Sequence, residues 1–404
     1  MEKKSKRAFN KTITNRPLFS IIVLTYMQRH LLEECLDSVF IQSYPNIELV
    51  ICDDCSADFD VDEVKQYIEK NKSKNIKSFV VYKQQKNIGT VHNAQQGIEL
   101  SSGRYFKLHA GDDMLFEKKT IEKVSDYFRD PNIKILAGRS IACQHDGTMT
   151  EHYYPSNEAV YEMMRADAKK QFELIGTQSW GEFINAPAVF WKRDFFEETG
   201  GYDLSYTYTE DWPMWLRVTS QGQRIHMLNE VFTIYRYGGI SNDLSGLNRT
   251  LGKLHYQECI RMFQELVIPV FEKEGRKGKV ARCRHCIHCL EIRMEAEGGN
   301  WKDWNCFQQV GWRVKNSPFL LRSWLYRRRK YGFAMNNRSI FIVMGACVLL
   351  YSFHVELLPG MASDRIWAAV FFVAFGWLML KMGLSVGIRL MNVLLNLKRR
   401  RDGI

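Results

Sequence analysis

The chain has 404 residues, of which 46% are hydrophobic, and carries a formal net charge of +11. That leaves room for one large domain or two ordinary ones with a proper core, and it excludes a disordered chain. Ten cysteines without a charged-then-apolar leader argue against a secreted disulfide scaffold, so a reducing setting is expected for most of the chain. The positive charge gathers near the ends: Lys3, Lys4, Lys6, Arg7, Lys11 and Arg16, then Arg327 to Lys330, then Lys398 to Arg401. This layout suits a membrane surface better than a nucleic-acid groove, and no nucleic-acid partner is expected, because the basic runs lack a recognised motif or interleaved aromatics.

From Leu18 short apolar runs alternate with amphipathic stretches. Phe19 to Leu24 reads as a strand, Leu31 to Phe40 as a helix, Ile47 to Cys52 as a strand, Val61 to Asn71 as a helix and Ser78 to Tyr82 as a strand. Helix-like Val91 to Leu100, a strand at Tyr105 to His109 and helix-like Lys119 to Phe128 continue the order. Such a β-α-β-α-β pattern predicts an α/β fold around a mainly parallel central sheet. Residues 130 to 240 are less regular, with Phe190-Trp191 strand-like and a helix opening near Pro213. Helical patterns follow at Tyr256 to Glu274 and Val280 to Glu297, so a boundary is expected near residue 245.

Two apolar segments close the sequence, Ser339 to Phe353 and Ile366 to Leu380, each uncharged for 15 residues. That is shorter than the roughly 18 to 20 residues of a simple spanning helix, but His354, Glu356 and Lys381 can snorkel and lengthen both. Basic clusters on the outer sides predict a helical hairpin in the membrane with both ends cytoplasmic, the alternative being a re-entrant or interfacial pair. A single hairpin is too short to form a polymer-extruding channel. The expected divisions are a basic leader at 1–16, the α/β domain at 17–244, a helical region at 245–335, membrane-associated helices at 336–397 and a basic tail at 398–404.

In parallel sheets ligands gather at the carboxyl ends of the strands, where polar clusters fall here: Thr25-Tyr26, Asp53-Asp54, Asn87-Ile88-Gly89 and Asp112-Asp113. Neighbouring carboxylates at the end of a buried strand repel each other, so a divalent cation with a polyanionic ligand is a natural reason to tolerate them. The plainer alternative is a polar turn or a helix cap. Glu210 and Asp211, just ahead of Pro213, favour the positive end of a helix dipole and can also serve as a base. Cys283, Cys286 and Cys289, with His285 and His288 between them, lack a second matched pair. They read as thiols on a helical packing face and not as a zinc site.

With these clusters in order, the stretch from Pro17 to about Gly239 resembles the family 2 glycosyltransferases. The likeness rests on Ser20-Ile-Ile-Val-Leu-Thr-Tyr26, Leu36-Asp-Ser-Val-Phe-Ile-Gln42, Glu48-Leu-Val-Ile-Cys-Asp-Asp-Cys-Ser56, Asn87-Ile-Gly89 with Gly97, Gly103 through Asp113, and Gly200-Gly201-Tyr202 with Glu210-Asp211. It implies the GT-A nucleotide-sugar-binding fold and an inverting transfer from a UDP-, dTDP- or GDP-sugar, with Mn²⁺ or Mg²⁺, to a glycan or lipid-linked acceptor. It further implies that Thr25 and Tyr26 line the nucleotide pocket, Asp54 reads the base edge with Asp53 beside it, Asp112 binds the metal and Asp211 is the catalytic base.

Several neighbours join this set as candidates. Asp113 stands behind the metal or faces the acceptor, and Glu210 stands beside the base. The Asn87 and Gly89 turn can bring amides to the nucleotide, Arg236 can reach the diphosphate, and Trp212 and Trp215 can stack on an acceptor unless they are core. Three positions depart from the family pattern: Met27 stands where asparagine is frequent, Ala110 replaces the first aspartate of the metal motif, and Asn93-Ala94-Gln95 replaces Ala-Arg-Asn. The Ala110 departure supports an alternative, a protein of this fold that binds nucleotide sugar or glycan without catalysis.

Overall fold

The structure, a computed structural model, describes residues 16–178, 183–237 and 247–298. β1 (Phe19–Thr25) leads through α1 (Arg29–Phe40) to β2 (Ile47–Asp53), and α2 (Val61–Asn71) leads to β3 (Ile76–Lys83). α3 (Thr90–Glu99) and β4 (Tyr105–Ala110) complete this repeat. β1 and β2 lie within the core along almost their whole length, which is why they read as unbroken apolar runs and not as alternating ones. α2 opens where Asp60 accepts the backbone N–H groups of Asp62 and Glu63.

β5 (Met114–Leu115), α4 (Thr120–Tyr127), β6 (Ile135–Cys143) and β7 (Met149–Tyr154) follow, then α5 (Asn157–Arg165) and α6 (Ala168–Gly176). β8 (Val189–Lys192), α7 (Arg193–Glu198), α8 (Asp211–Ser220) and β9 (His226–Arg236) finish the sheet. The strand order is β3-β2-β1-β4-β8-β6-β9-β5, with β7 on the side of β6. β1 to β4 pair in parallel as expected, but β8 runs antiparallel to both β4 and β6, and β5 antiparallel to β9. The sheet is therefore mixed, a correction to the mainly parallel one expected. The cause lies in the stretch that read as irregular: β6 is buried on both faces and β9 is interrupted by register shifts, so neither shows the alternation that marks a half-buried strand.

α9 (Leu247–Met262), a π-turn at Phe263–Val267 and α10 (Ile268–Lys273) replace the first long helix expected there, while α11 (Lys277–Gly298) matches the second. The break falls beside Pro269, which has no N–H to donate and whose ring crowds the preceding turn.

Helices cover both faces of the sheet. On one face α1 and α4 bury Leu32, Leu36, Ile121 and Val124 against Phe19, Ile21 and Phe232. On the other, Val91 of α3, Trp212 and Trp215 of α8, Met262 at the end of α9, Phe263 after it, and Cys283 and Leu290 of α11 belong to one continuous core with Ile22 and Phe106. Described residues on both sides of position 245 thus share this core. Cys283 Sγ lies 3.3 Å from Gly176 O and Cys286 Sγ 3.7 Å from Thr177 O, so these thiols face the end of α6. Among the described residues no group of three His, Cys, Asp or Glu side chains can enclose a metal ion. No described helix is long and apolar enough to cross a membrane, and both expected membrane segments lie outside the described residues.

A charged hub ties the last helices to α6. Glu173, with a side chain 12% exposed, pairs with Lys170 at 3.1 Å and with Arg276 and Lys279. Its burial opposes ionisation, but three cationic hydrogen-bond donors overcome this and hold its carboxyl down at about 2. A group depressed in the folded state stabilises above its unfolded pKa and loses that contribution as pH falls through the folded value. Glu173→Gln is expected to lower stability at pH 7 by roughly 1–2 kcal/mol, with the deficit shrinking from pH 4.5 towards pH 2. Urea melts of both proteins across that range measure it.

Candidate active site

Register sets the site. Thr25 stands opposite Asp53, and Leu24 opposite Ala110, so β1, β2 and β4 end level and release their next residues onto one rim. Thr25 O accepts Asp54 N at 3.0 Å, and the Thr25 hydroxyl is buried without a protein partner. Gly111 sits so near that an added Cβ would lie 3.1 Å from Thr25 Oγ1, while the Tyr26 side chain is half-buried beside this turn.

The two aspartates after β2 brace loops. Asp53 accepts Ser56 N at 2.7 Å and Ser56 Oγ at 2.5 Å, and Ser56 Oγ in turn accepts Met27 N at 2.7 Å. Asp54 accepts Ile88 N at 2.7 Å on one oxygen and Gly89 N at 2.9 Å on the other. Burial raises both carboxyls above the usual range, and these hydrogen bonds partly offset it. The amides expected to approach the nucleotide are therefore taken by Asp54, and Asn87 is exposed at the tip of the turn.

After β4, Asp112 and Asp113 are buried in a short turn. Gln28 donates its side-chain N–H to Asp112 Oδ2 at 2.8 Å, and Arg236 N donates to Asp113 Oδ1 at 3.0 Å. Asp113 Oδ2 is buried with no partner. Burial drives the Asp113 carboxyl well up, the charge of Asp112 adds to this, and burial raises Asp112 as well. Such a short-handed acidic pair fits a divalent cation, whose remaining positions would come from diphosphate oxygens and water.

Beneath the pair lie Lys107, pushed down to about 8 by burial, and His109, buried with neither ring nitrogen bonded to a protein atom. Arg236 is beside the pair but is committed: its Nε donates to Asp112 O at 3.1 Å, Nη1 to His145 O at 2.8 Å and Nη2 to Glu34 at 2.5 Å. In this structure it braces the acidic turn.

Glu210 and Asp211 stand at the N-terminus of α8. Each keeps some exposed surface, yet burial of the carboxyl groups pushes Asp211 up to about 6, and burial with the nearby Asp211 charge pushes Glu210 up to about 8. Trp212 N donates to Asp211 Oδ1 at 2.6 Å, which anchors the side chain. Trp212 and Trp215 are core residues and not acceptor platforms: the Trp212 indole N–H donates to Ile175 O at 3.1 Å, and its ring meets Phe263 edge-on at 5.5 Å.

A strap of irregular chain, Asp203 to Thr209, joins the acidic pair to the rim that bears Asp54 and Gly89. Val91 N donates to Thr207 O at 2.9 Å, and Thr207 lies so close to Gly89 that an added Cβ would come within 2.3 Å of Thr207 Cγ2. Tyr208 is half-buried, and Asp54 and Tyr26 are near enough to raise its hydroxyl pKa after burial has done so. From behind, Glu258 accepts Thr207 N at 2.6 Å and Tyr208 N at 2.9 Å, while the Thr209 hydroxyl bonds His255 Nδ1 at 2.8 Å. Gln28, Tyr208 and Glu258 carry no motif signal of their own. Only adjacency to Thr25-Tyr26 and to Glu210-Asp211 marks the first two.

The family model described as Glycosyl transferase family 2 matches residues 20–199, so this stretch of the chain is similar to that family. Over 261 residues the chain is 28% identical to a Bacillus subtilis (strain 168) protein, TuaG, provisionally named a teichuronic acid biosynthesis glycosyltransferase. This match covers 61% of the chain and 94% of TuaG. A PGL/p-HBAD biosynthesis glycosyltransferase of Mycobacterium tuberculosis (strain ATCC 25618 / H37Rv) is 24% identical over 56% of the chain and 80% of its own length. Among solved structures, the mannosyltransferase PcManGT of Pyrobaculum calidifontis, in complex with GDP-Man and Mn²⁺, aligns with 15% identity and a TM-score of 0.47 over 90% of this chain and 88% of that one.

Gly89, at φ +84°, permits both the left-handed backbone and the contact with Thr207. Gly89→Ala is expected to cost about 2 kcal/mol or more and to loosen the strap, seen as a lower urea midpoint and faster proteolysis near Tyr208. Met27 holds φ 56° with a side chain that disfavours it, so Met27→Asn is expected to gain about 0.5–1 kcal/mol in the same melts.

Proposed function

We propose that this chain is an inverting glycosyltransferase that moves a sugar from a nucleoside-diphosphate sugar to a hydroxyl of a glycan or lipid-linked acceptor in surface glycoconjugate synthesis. The observation that carries it is the strap: through Thr207 and Gly89 it links a carboxylate pair at the start of α8, raised towards neutrality, to the rim bearing Asp54. The names of TuaG and of the mycobacterial relative support the class of product.

In this reading Asp112 and Asp113 hold Mn²⁺ or Mg²⁺, which would neutralise charge on the departing diphosphate. Asp211 takes the proton of the acceptor hydroxyl, and a pKa near 6 suits a base that works near neutral pH. Glu210, the more readily protonated partner, leaves a single negative charge on the pair between its two titrations. Thr25, Tyr26 and Tyr208 line the nucleotide pocket. Basic clusters around the two apolar segments, outside the described residues, support attachment to a membrane with the catalytic domain on the cytoplasmic side. Flotation of the chain with anionic vesicles checks this, and failure to float would remove that part.

Purified protein with Mn²⁺ and a panel of UDP-, dTDP- and GDP-sugars, scored for slow hydrolysis and thermal stabilisation, tests the assignment. Asp112→Asn is expected to weaken cation-dependent donor binding at least tenfold. Asp211→Asn should keep donor binding and reduce transfer by about 10³-fold or more. Because Asp211 acts deprotonated, the wild-type rate should fall about tenfold per pH unit below about 6. Transfer at wild-type rates by both variants would rule the site out.

A further inference from the structure

α9 lies beyond residue 199, where the family match ends, and yet it turns its His255, Glu258 and Arg261 face onto the strap. Arg261 donates to Ser205 O at 2.8 Å and covers the Tyr206 ring at 4.0 Å, so three side chains of one helix grip consecutive parts of Ser205 to Thr209. Glu258 is the centre of this grip. Its two oxygens accept the N–H groups of Thr207 and Tyr208, which have no strand or helix neighbour to satisfy them. On its far side Thr207 is closed against Gly89, so the strap is held between two helices and runs directly into Glu210 and Asp211.

We propose that Glu258 is a positioning residue of the transfer reaction: by gripping the Thr207 and Tyr208 amides it fixes the strap, and through it the orientation of the Asp211 base and the Tyr208 wall of the donor pocket. This rests on the glycosyltransferase reading given above. A carboxylate accepting two amides is a strong, directional restraint, and a base displaced by an ångström loses much of its effect. Glu258 also brings negative charge near Glu210, whose other facing groups are Asp211, the Tyr202 hydroxyl and, through Thr209, His255; Cys259 lies beside Asp211 and Glu258.

Two variants separate grip from charge. Glu258→Gln keeps the length, loses the charge and can accept through only one atom. Glu258→Asp keeps the charge but is one methylene too short to hold both amides. Each is measured for kcat, donor KM, the pH dependence of kcat, thermal midpoint and hydrogen exchange of the 203–211 segment. Both are expected to lower kcat 10- to 100-fold and to speed exchange of Thr207 and Tyr208 at least tenfold, with the folded fraction unchanged. In Glu258→Gln the upper titration of the kcat profile, that of Glu210, should move to lower pH, whereas in Glu258→Asp it should stay in place; the acid limb set by Asp211 should hold in both.

Wild-type kcat and wild-type exchange in both variants would overturn the proposal. So would a loss of kcat that merely follows the loss of folded protein. If the wild type transfers no sugar from any donor, the functional reading fails instead, and fast exchange in the variants would still show the grip on the strap.

Discussion

Carboxylates that accept two adjacent backbone amides hold this site together. Asp54 does so for Ile88 and Gly89, and Glu258 for Thr207 and Tyr208. Loops at the ends of a sheet have backbone donors that no strand neighbour satisfies, and a buried unpaired N–H costs about as much as a lost hydrogen bond. Each carboxylate removes two such donors at once. In exchange, the loop is confined to a conformation that brings both N–H groups to one side chain. Gly89 can then keep its left-handed backbone, Thr207 can close on it, and the acidic pair of α8 inherits its place from a chain of restraints that starts at β2.

The polar network under the first strands follows the same logic. Ser20 donates to Glu48 at 2.6 Å, Gly103 N donates to Ser20 Oγ at 2.9 Å, and Ser102 N donates to Glu48 at 2.7 Å. A Cβ on Gly103 would lie 2.4 Å from Ser20 Oγ, and one on Gly97 2.4 Å from Ile22 Cγ2. Several residues that carry the family likeness are thus the ones that let β4 and α3 approach β1 closely. They secure the level strand ends, while the chemistry sits a residue or two beyond them.

This divides what the sequence shows from what it hides. β1 and β2 were legible because burial on both faces writes itself as continuous apolar runs separated by turn residues. β6, β9 and the placement of β8 were not, since bulges and antiparallel returns leave no period to count. In the site, Asp112, Asp113, Glu210 and Asp211 stood out as paired acids. The commitment of Arg236 and Asp54 to protein partners, and the burial of Trp212 and Trp215, depend on three-dimensional neighbours that adjacent residues do not announce. Glu258 is the clearest case: it looks like one more surface acid on an amphipathic helix until the strap is laid across it.

Residues from Ile22 to Leu290 contribute to a single apolar core, in which Trp212 leans on Phe263 and Cys283 on the end of α6. The stretch matched by the family model, which ends at residue 199, is therefore not a separate unit of packing. The melting of α9 to α11 should be inseparable from that of the sheet, and the rigidity of the candidate site would be borrowed from helices that lie beyond the family match.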